Sequence, residues 1–346
     1  MSPSDDPGVP RHGGDLGFAR AHYGEPAGGW LDLSTGVNPW PYPAQPIVAA
    51  DLARLPDRDA LADLIGAARY AYRLPDDTAV VATPGSELAI RLLPSVVAPA
   101  GITAIVSPTY VSHAEAWRTA GRPIIAAATV EAVPADTSAV VVGNPNNPDG
   151  RVHDPHALVT MAHRLGERGG GLLIVDEAFV DLTPEASLGP YLSGLPAVVL
   201  RSFGKFYGLP GLRLGFVAGH PALVARLAAL LGDWPVSSAA IAIGRAALAD
   251  TAWQDETRRR LAAQASRLRT LLAGRRLDPI GGTDLFVLAE AGAAGAVRRG
   301  LARRGIWTRA FADRPTWLRI GLPGDEVGFA RLDAAVGEIT TPAAAR

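Results

Sequence analysis

Cysteine is absent from the 346 residues, which removes disulfide stapling and thiol catalysis without assigning a compartment. Neither charge sign is in excess. Lys plus Arg number 33 against 34 Asp plus Glu, a formal net charge of −1, so no global field favours nucleic acid or an anionic membrane. No apolar run approaches the roughly 18 residues needed to cross a bilayer. Met1–Val9 is polar and acidic, with no apolar signal core, so a cytoplasmic protein is expected. Nucleotide-binding glycine patterns that follow a strand and open a helix are also missing. His153-Asp154-Pro155-His156 reads as a helix start that leaves His153 outside, not as a metal site. Arg258–Arg260 and Arg298–Arg304 read as solvated helix faces.

What is present describes a globular protein. Hydrophobic residues make up 48% and charged residues 19%, and the length suits one large domain and a smaller one. Short runs rich in Val and Ile occur at Ala79–Ala82, Ile102–Val106, Ala139–Val142, Leu172–Val175, Ala197–Leu200 and Phe216–Ala218. They read as strands buried on both faces. Helical patterns lie between them at Ser86–Val97, His113–Ala120 and Pro155–Arg168. The alternation predicts an α/β fold with a mostly parallel central sheet and helices on both faces. After Gly219 the pattern changes to helices at Leu223–Leu231, Ser238–Ala249 and Thr251–Leu272, then to strands at Asp284–Leu288, Ile306–Arg309 and Trp317–Ile320. The expected division is an arm over residues 1–45 that packs across the site, a large α/β domain over 46–250, and a small α+β domain over 251–346. The Thr341–Arg346 tail is expected to fray.

In such sheets ligands bind beyond the carboxyl ends of the strands. The richest strand end is Ser202-Phe203-Gly204-Lys205-Phe206-Tyr207-Gly208-Leu209-Pro210-Gly211-Leu212-Arg213. A lysine between buried strands can become an amine nucleophile, and the nearby hydroxyl and guanidinium suit a phosphate. Together they suggest pyridoxal 5'-phosphate held on Lys205 as a Schiff base. Gly85, Ser86 and Glu87 open a helix whose N–H groups can bind phosphate, although an ordinary capped helix reads the same way. Tyr110 can stack on a planar ring or sit in the core. The loop Gly143–Gly150 brings three asparagines, as a polar site or as a turn. Asp176 ends a buried strand, where a pyridinium N–H would be a fitting partner for its carboxylate.

In this combination the chain resembles the fold-type I pyridoxal-phosphate enzymes of the aspartate aminotransferase superfamily. Within them it is similar to the threonine-phosphate decarboxylases of cobalamin biosynthesis, close to the histidinol-phosphate aminotransferases. The subgroup likeness rests on Arg11-His12-Gly13-Gly14-Asp15, on Trp30–Pro41 and on Ser202–Gly215. The resemblance implies that Lys205 and Asp176 are catalytic, with Asp176 pairing with the pyridine nitrogen. Tyr110 would stack on the ring and Asn147 bond its oxygen, while Ser86, Glu87, Ser202 and Arg213 hold the phosphate. Arg319 would take the substrate carboxylate, with His12, Gly13, Gly36, Asn147 and Arg309 also binding substrate. The implied reaction is decarboxylation of L-threonine O-3-phosphate to (R)-1-amino-2-propanol O-2-phosphate by a cytoplasmic homodimer. The alternative is a histidinol-phosphate-type aminotransferase using glutamate and 2-oxoglutarate. A non-catalytic ligand sensor of this fold would carry a DNA-binding helix-turn-helix, and none is seen. Two positions depart from the pattern. Phe179 stands where many aminotransferases have tyrosine, and Asp15 stands where the subgroup commonly has asparagine.

Overall fold

Runs of β-branched residues flanked by glycine and proline become the strands of the computed structural model, which describes residue 8 and residues 10–97, 101–167 and 170–340. The Thr341–Arg346 tail, most of Met1–Val9 and Arg168 at the end of one expected helix lie outside the described residues. In chain order the strands are β1 Leu31–Asp32, β2 Ala79–Thr83, β3 Thr103–Val106, β4 Ile124–Ala127, β5 Ala139–Gly143, β6 Leu172–Asp176 and β7 Ala197–Ser202. There follow β8 Gly215–Gly219, β9 Asp278–Thr283, β10 Phe286–Glu290, β11 Ile306–Trp307, β12 Arg309–Phe311 and β13 Arg314–Gly321. Two compact units result: Pro41–Glu256, and residues up to Trp40 together with those from Thr257 onward.

The larger unit is built on a seven-stranded sheet in the order β2-β8-β7-β6-β5-β3-β4. Its pairs are parallel except those made by β8, which runs antiparallel to both β2 and β7. The central strands β3, β5, β6, β7 and β8 are buried along their whole length. Helices on the sheet require apolar side chains on both faces of these strands, which is why they read as continuous hydrophobic runs. Each fully buried Val or Ile contributes about 1.5–3 kcal/mol of transfer free energy. The edge strand β4 is only partly buried.

The direction of β8 decides the site. Because β8 is antiparallel, it begins where the parallel strands end, and Gly215 pairs with both Thr83 and Ser202. The turn between β7 and β8 therefore stays at the carboxyl edge and returns Arg213 to it.

The smaller unit holds an antiparallel sheet in the order β12-β13-β10-β9, and β1 pairs in parallel with β11. Trp307 is the centre of an aromatic group with Phe18, Tyr23 and Trp30. One expectation fails here. Arg298 is not on a solvated helix face but fully buried in the helix Ala294–Ala302. Its guanidinium lies 5.3 Å from the Trp307 ring centroid and donates to the Gly8 carbonyl at 2.8 Å, so a partner carbonyl and an aromatic face offset its burial. Among the described residues no helix is long and apolar enough to cross a membrane.

Candidate active site

At the carboxyl edge of the larger sheet a cleft is lined by Tyr110, Asn147, Asp176, Phe179 and Lys205, among others. Tyr110 follows β3, Asn147 follows β5, Asp176 ends β6 with Phe179 in the turn after it, and Lys205 follows β7. Lys205 follows β7 in a turn closed by Gly208 N–H donating to its carbonyl at 3.2 Å. Buried Phe203, Phe206 and Tyr207 pin that turn from below. Phe203 stacks on Tyr207 at 4.1 Å, and both Phe206 and Tyr207 pack on Trp253. Lys205 Nζ lies 5.8 Å from the centroid of the Phe179 ring. Lys205 is also the only lysine in the chain.

Asp176 is the last residue of β6 and is almost fully buried. Its Oδ1 accepts from Ala178 N–H at 3.1 Å, and its Oδ2 lies 2.9 Å from Nε2 of buried His113. A carboxylate only accepts hydrogen bonds, so His113 Nε2 carries the proton of that contact. The partners offset the cost of burying the charge and fix the direction in which the carboxylate faces the cleft. His113 was not among the expected site residues. The one signal that could have found it is its position three residues after Tyr110, on the same face of the helix Val111–Thr119.

Tyr110 caps that helix at its start. Burial pushes its phenol up to about 12, and the nearby carboxylates of Glu87 and Asp176 add to the shift while a bond with Ser112 opposes it. The three asparagines of the Gly143–Gly150 loop divide by role. Asn144 donates to the Ala186 carbonyl at 2.8 Å and accepts from His153 N–H at 2.9 Å. Asn146 donates to the Pro108 carbonyl and to Asp149, each at 2.7 Å, and accepts from the Thr109 hydroxyl. Both are buried and engaged in holding loops. Only Asn147 lines the cleft.

A second set of donors surrounds the start of the helix Ser86–Val96. Gly85 precedes it with φ +80° and ψ 156°. An ideal Cβ there would lie 2.7 Å from Arg213 Nη2, so the missing side chain lets the guanidinium lie against the helix N-terminus. Arg213 itself has φ +55°, a left-handed conformation that costs a non-glycine residue about 1–2 kcal/mol. The Glu87 carboxylate accepts from Arg91 Nε at 2.9 Å, within its own helix. Ser202 ends β7 at the same edge. N–H groups at a helix start, a hydroxyl and a guanidinium make an anion site. Amine, carboxylate, amide and aromatic ring line the neighbouring cleft. The set fits pyridoxal 5'-phosphate, whose planar ring and phosphate need these donor types.

Beneath the edge lies a buried ion cluster that sequence reasoning also missed. Glu177 follows Asp176, and Arg201 precedes Ser202. Arg201 donates to Glu177 at 3.1 Å and to Asp181, and its guanidinium stacks 3.9 Å over Tyr72. Glu177 also accepts from Ser187 Oγ at 2.8 Å and Leu188 N–H at 2.6 Å. Burial raises the Glu177 pKa, against the pull of Arg201.

The remaining expected residues lie in the smaller unit. Arg309 of β12 pairs in register with Arg319 of β13. Arg319 is buried and donates to the Ser34 carbonyl at 2.7 Å. Arg309 donates to the carbonyls of Pro10 and Arg11, the latter at 2.7 Å, so its guanidinium clasps the segment that carries His12 and Gly13. Gly36 is buried two residues beyond Ser34. Asp15 caps the helix Leu16–Tyr23 by accepting from Phe18 N–H at 2.8 Å. The negative charge that departs from the expected asparagine thus faces a helix N-terminus, where it is stabilising.

The sequence model of the family described as aminotransferase class I and II matches residues 56–332. The chain belongs to that aminotransferase family. A threonine-phosphate decarboxylase of Pseudomonas aeruginosa is 42% identical, with 96% of this chain and 98% of that protein aligned. A threonine-phosphate decarboxylase from a Sinorhizobium species is 40% identical over 95% of this chain and 98% of that protein. In fold, this aminotransferase-family chain is similar to the histidinol-phosphate aminotransferase of Sinorhizobium meliloti, solved in complex with pyridoxal 5'-phosphate. The TM-score is 0.80 at 22% identity, covering 94% of each chain.

Proposed function

We propose that the protein is a pyridoxal 5'-phosphate-dependent threonine-phosphate decarboxylase. It would convert L-threonine O-3-phosphate to (R)-1-amino-2-propanol O-2-phosphate and CO2 for cobalamin biosynthesis. The observation that carries this reading is the full-length likeness to two decarboxylases, at 42% and 40% identity. The cleft that joins Lys205, Asp176, Tyr110 and Asn147 supports it.

Bound in the cleft, the cofactor supplies an electron-withdrawing ring that stabilises the charge left on Cα when one of its bonds breaks. The chain does the rest. Lys205 Nζ would hold the cofactor, and its amine can carry a proton to the substrate Cα. Asp176, oriented by His113 and Ala178 N–H, would keep a proton at the ring nitrogen. Tyr110 would lie against the ring and Asn147 would donate to its oxygen. Gly85, Ser86, Ser202 and Arg213 would hold the phosphate, and Glu87 would join them through its backbone N–H because its side chain is turned to Arg91. In the smaller unit Arg319 would take the substrate carboxylate, and His12, Gly13, Gly36 and Arg309 would contribute to substrate binding. Which Cα bond is made labile would depend on how these groups orient the substrate, so the reaction is chosen by orientation.

A homodimer in the cytoplasm belongs to the same proposal, and sedimentation would read its mass. The function is tested by product identity. Phosphorus NMR of the purified, cofactor-loaded protein with L-threonine O-3-phosphate should show aminopropanol phosphate without any added oxo acid. Turnover of histidinol phosphate that depends on 2-oxoglutarate would favour the aminotransferase instead.

A further inference from the structure

Ser34 is bonded through its hydroxyl, its N–H and its carbonyl to three different residues. It is 1% exposed. Its Oγ accepts from Gly14 N–H at 2.7 Å and donates to Asp32 Oδ1 at 2.5 Å. Its own N–H donates to the same Asp32 oxygen at 2.9 Å. Its carbonyl accepts from Arg319 Nη2 at 2.7 Å. The same carbonyl oxygen lies 2.2 Å from where a Cβ of Gly13 would be, so the His12–Gly14 turn can approach Ser34 this closely only because residue 13 lacks a side chain.

One residue therefore joins two groups that the proposed function assigns to substrate: the arginine on β13 and the turn carrying His12 and Gly13. The segment before the turn is held from the other side. Arg298 donates to the Gly8 carbonyl, and Arg309 donates to those of Pro10 and Arg11. Neighbouring backbone bonds fix Ser34 in turn. Leu33 N–H donates to the Trp307 carbonyl and Gly321 N–H to the Leu33 carbonyl, each at 2.7 Å. Arg319 is anchored through a carbonyl whose direction depends on the Ser34–Asp32 bonds, because both the N–H and the hydroxyl of Ser34 close on one carboxylate oxygen.

We propose that Ser34, backed by Asp32, is a positioning residue that sets the Arg319 guanidinium and the His12–Gly14 turn as one preassembled substrate clamp. Ser34 acts through these groups and does not touch the reacting atoms. The inference rests on the reading that Arg319 binds the substrate carboxylate. That carboxylate is common to threonine phosphate and to the glutamate of the alternative reaction.

The test uses the holoenzyme and the variants Ser34→Ala, Asp32→Asn and Asp32→Ala. Loss of the Ser34 hydroxyl removes its bonds with Gly14 N–H and Asp32 and frees the carbonyl that anchors Arg319 to shift, so KM should rise about tenfold with kcat within about twofold of wild type. Amide hydrogen exchange at Gly14 should quicken without substrate present. Pyridoxal phosphate affinity should stay at the wild-type value, and the melting temperature should fall by only a few degrees. Asp32→Asn keeps an acceptor oxygen and should restore near-normal KM, whereas Asp32→Ala should copy Ser34→Ala. An unchanged KM, or a rise matched by loss of cofactor affinity and a larger fall in melting temperature, would overturn the positioning role in favour of a general structural one. Wild-type turnover of threonine phosphate, or of glutamate with the phosphorylated oxo partner, decides the functional reading separately. The variants are compared on whichever substrate the wild type accepts, and if it accepts neither, the clamp reading falls too.

Discussion

Replacing Gly85 with alanine should uncouple the phosphate site from the rest of the protein. The backbone there, φ +80° and ψ 156°, lies in a region that costs a residue with a side chain about 1–3 kcal/mol. The added methyl would also stand 2.7 Å from Arg213 Nη2 and 3.1 Å from Cζ. The guanidinium is the free end of a flexible side chain, so it moves and the backbone does not. Losing its charge-assisted bonds to phosphate costs about 1.5–3 kcal/mol, a cofactor dissociation constant about 10- to 100-fold weaker. Absorbance titration of the apoprotein with pyridoxal 5'-phosphate reads this, and urea denaturation of the apoprotein reads the backbone cost separately. Arg213→Ala should weaken the cofactor similarly, and the double variant should be little worse than either single change, because both remove the same contact. A Gly85→Ala protein that is less stable yet binds cofactor as tightly as wild type would refute the placement of the phosphate.

Four further outcomes are expected. Lys205→Ala should lose turnover and the visible absorbance of a lysine-linked pyridoxal. Since the chain has no other lysine, borohydride reduction of the wild type should label the one lysine-bearing peptide, and label on another would contradict the assignment. His113→Phe removes the partner of Asp176 Oδ2 and should lower kcat/KM by about tenfold, the value of one such bond, while moving the pH at which the bound cofactor changes colour. The Tyr110 phenol, raised from 10 to about 12, holds its proton more tightly in the folded protein. Its contribution to stability is thus fully present below pH 10 and is lost as pH rises toward 12. Tyr110→Phe should flatten that part of the denaturation-against-pH curve. Arg201→Met strands Glu177 and Asp181 as buried carboxylates, which should cost about 3–5 kcal/mol and lower the melting temperature at neutral pH. Lowering the pH should restore part of it, since the stranded carboxylates can then take up protons.

Much of the larger unit could be read from local pattern because its strands are buried on both faces. Val140–Val142 and Leu173–Val175 have no exposed face on which polar residues could interrupt the run. Strand β4, Ile124–Ala127, was missed because it is a short edge with two alanines. Strand β9 was missed because Asp278-Pro279-Ile280-Gly281-Gly282 reads as a turn and becomes a strand only by pairing with β10. The site was legible where chemistry and position coincide, as at Lys205, Asp176 and Arg213. It was not legible where a residue acts through long-range contacts. Ser34 and Arg319 are 285 positions apart, and Glu177 and Arg201 are 24 apart. Nor could composition separate Asn147 from Asn144 and Asn146, because the difference lies in which amides the folded loops already engage.

The most direct test of the account is CO2 release from L-threonine O-3-phosphate labelled at its carboxyl carbon, measured with and without 2-oxoglutarate. The expected result is labelled CO2 at a rate that does not depend on the oxo acid, with aminopropanol phosphate as the product. Label retained in an oxo-acid product, formed only when 2-oxoglutarate is present, would contradict the decarboxylase and make the chain an aminotransferase.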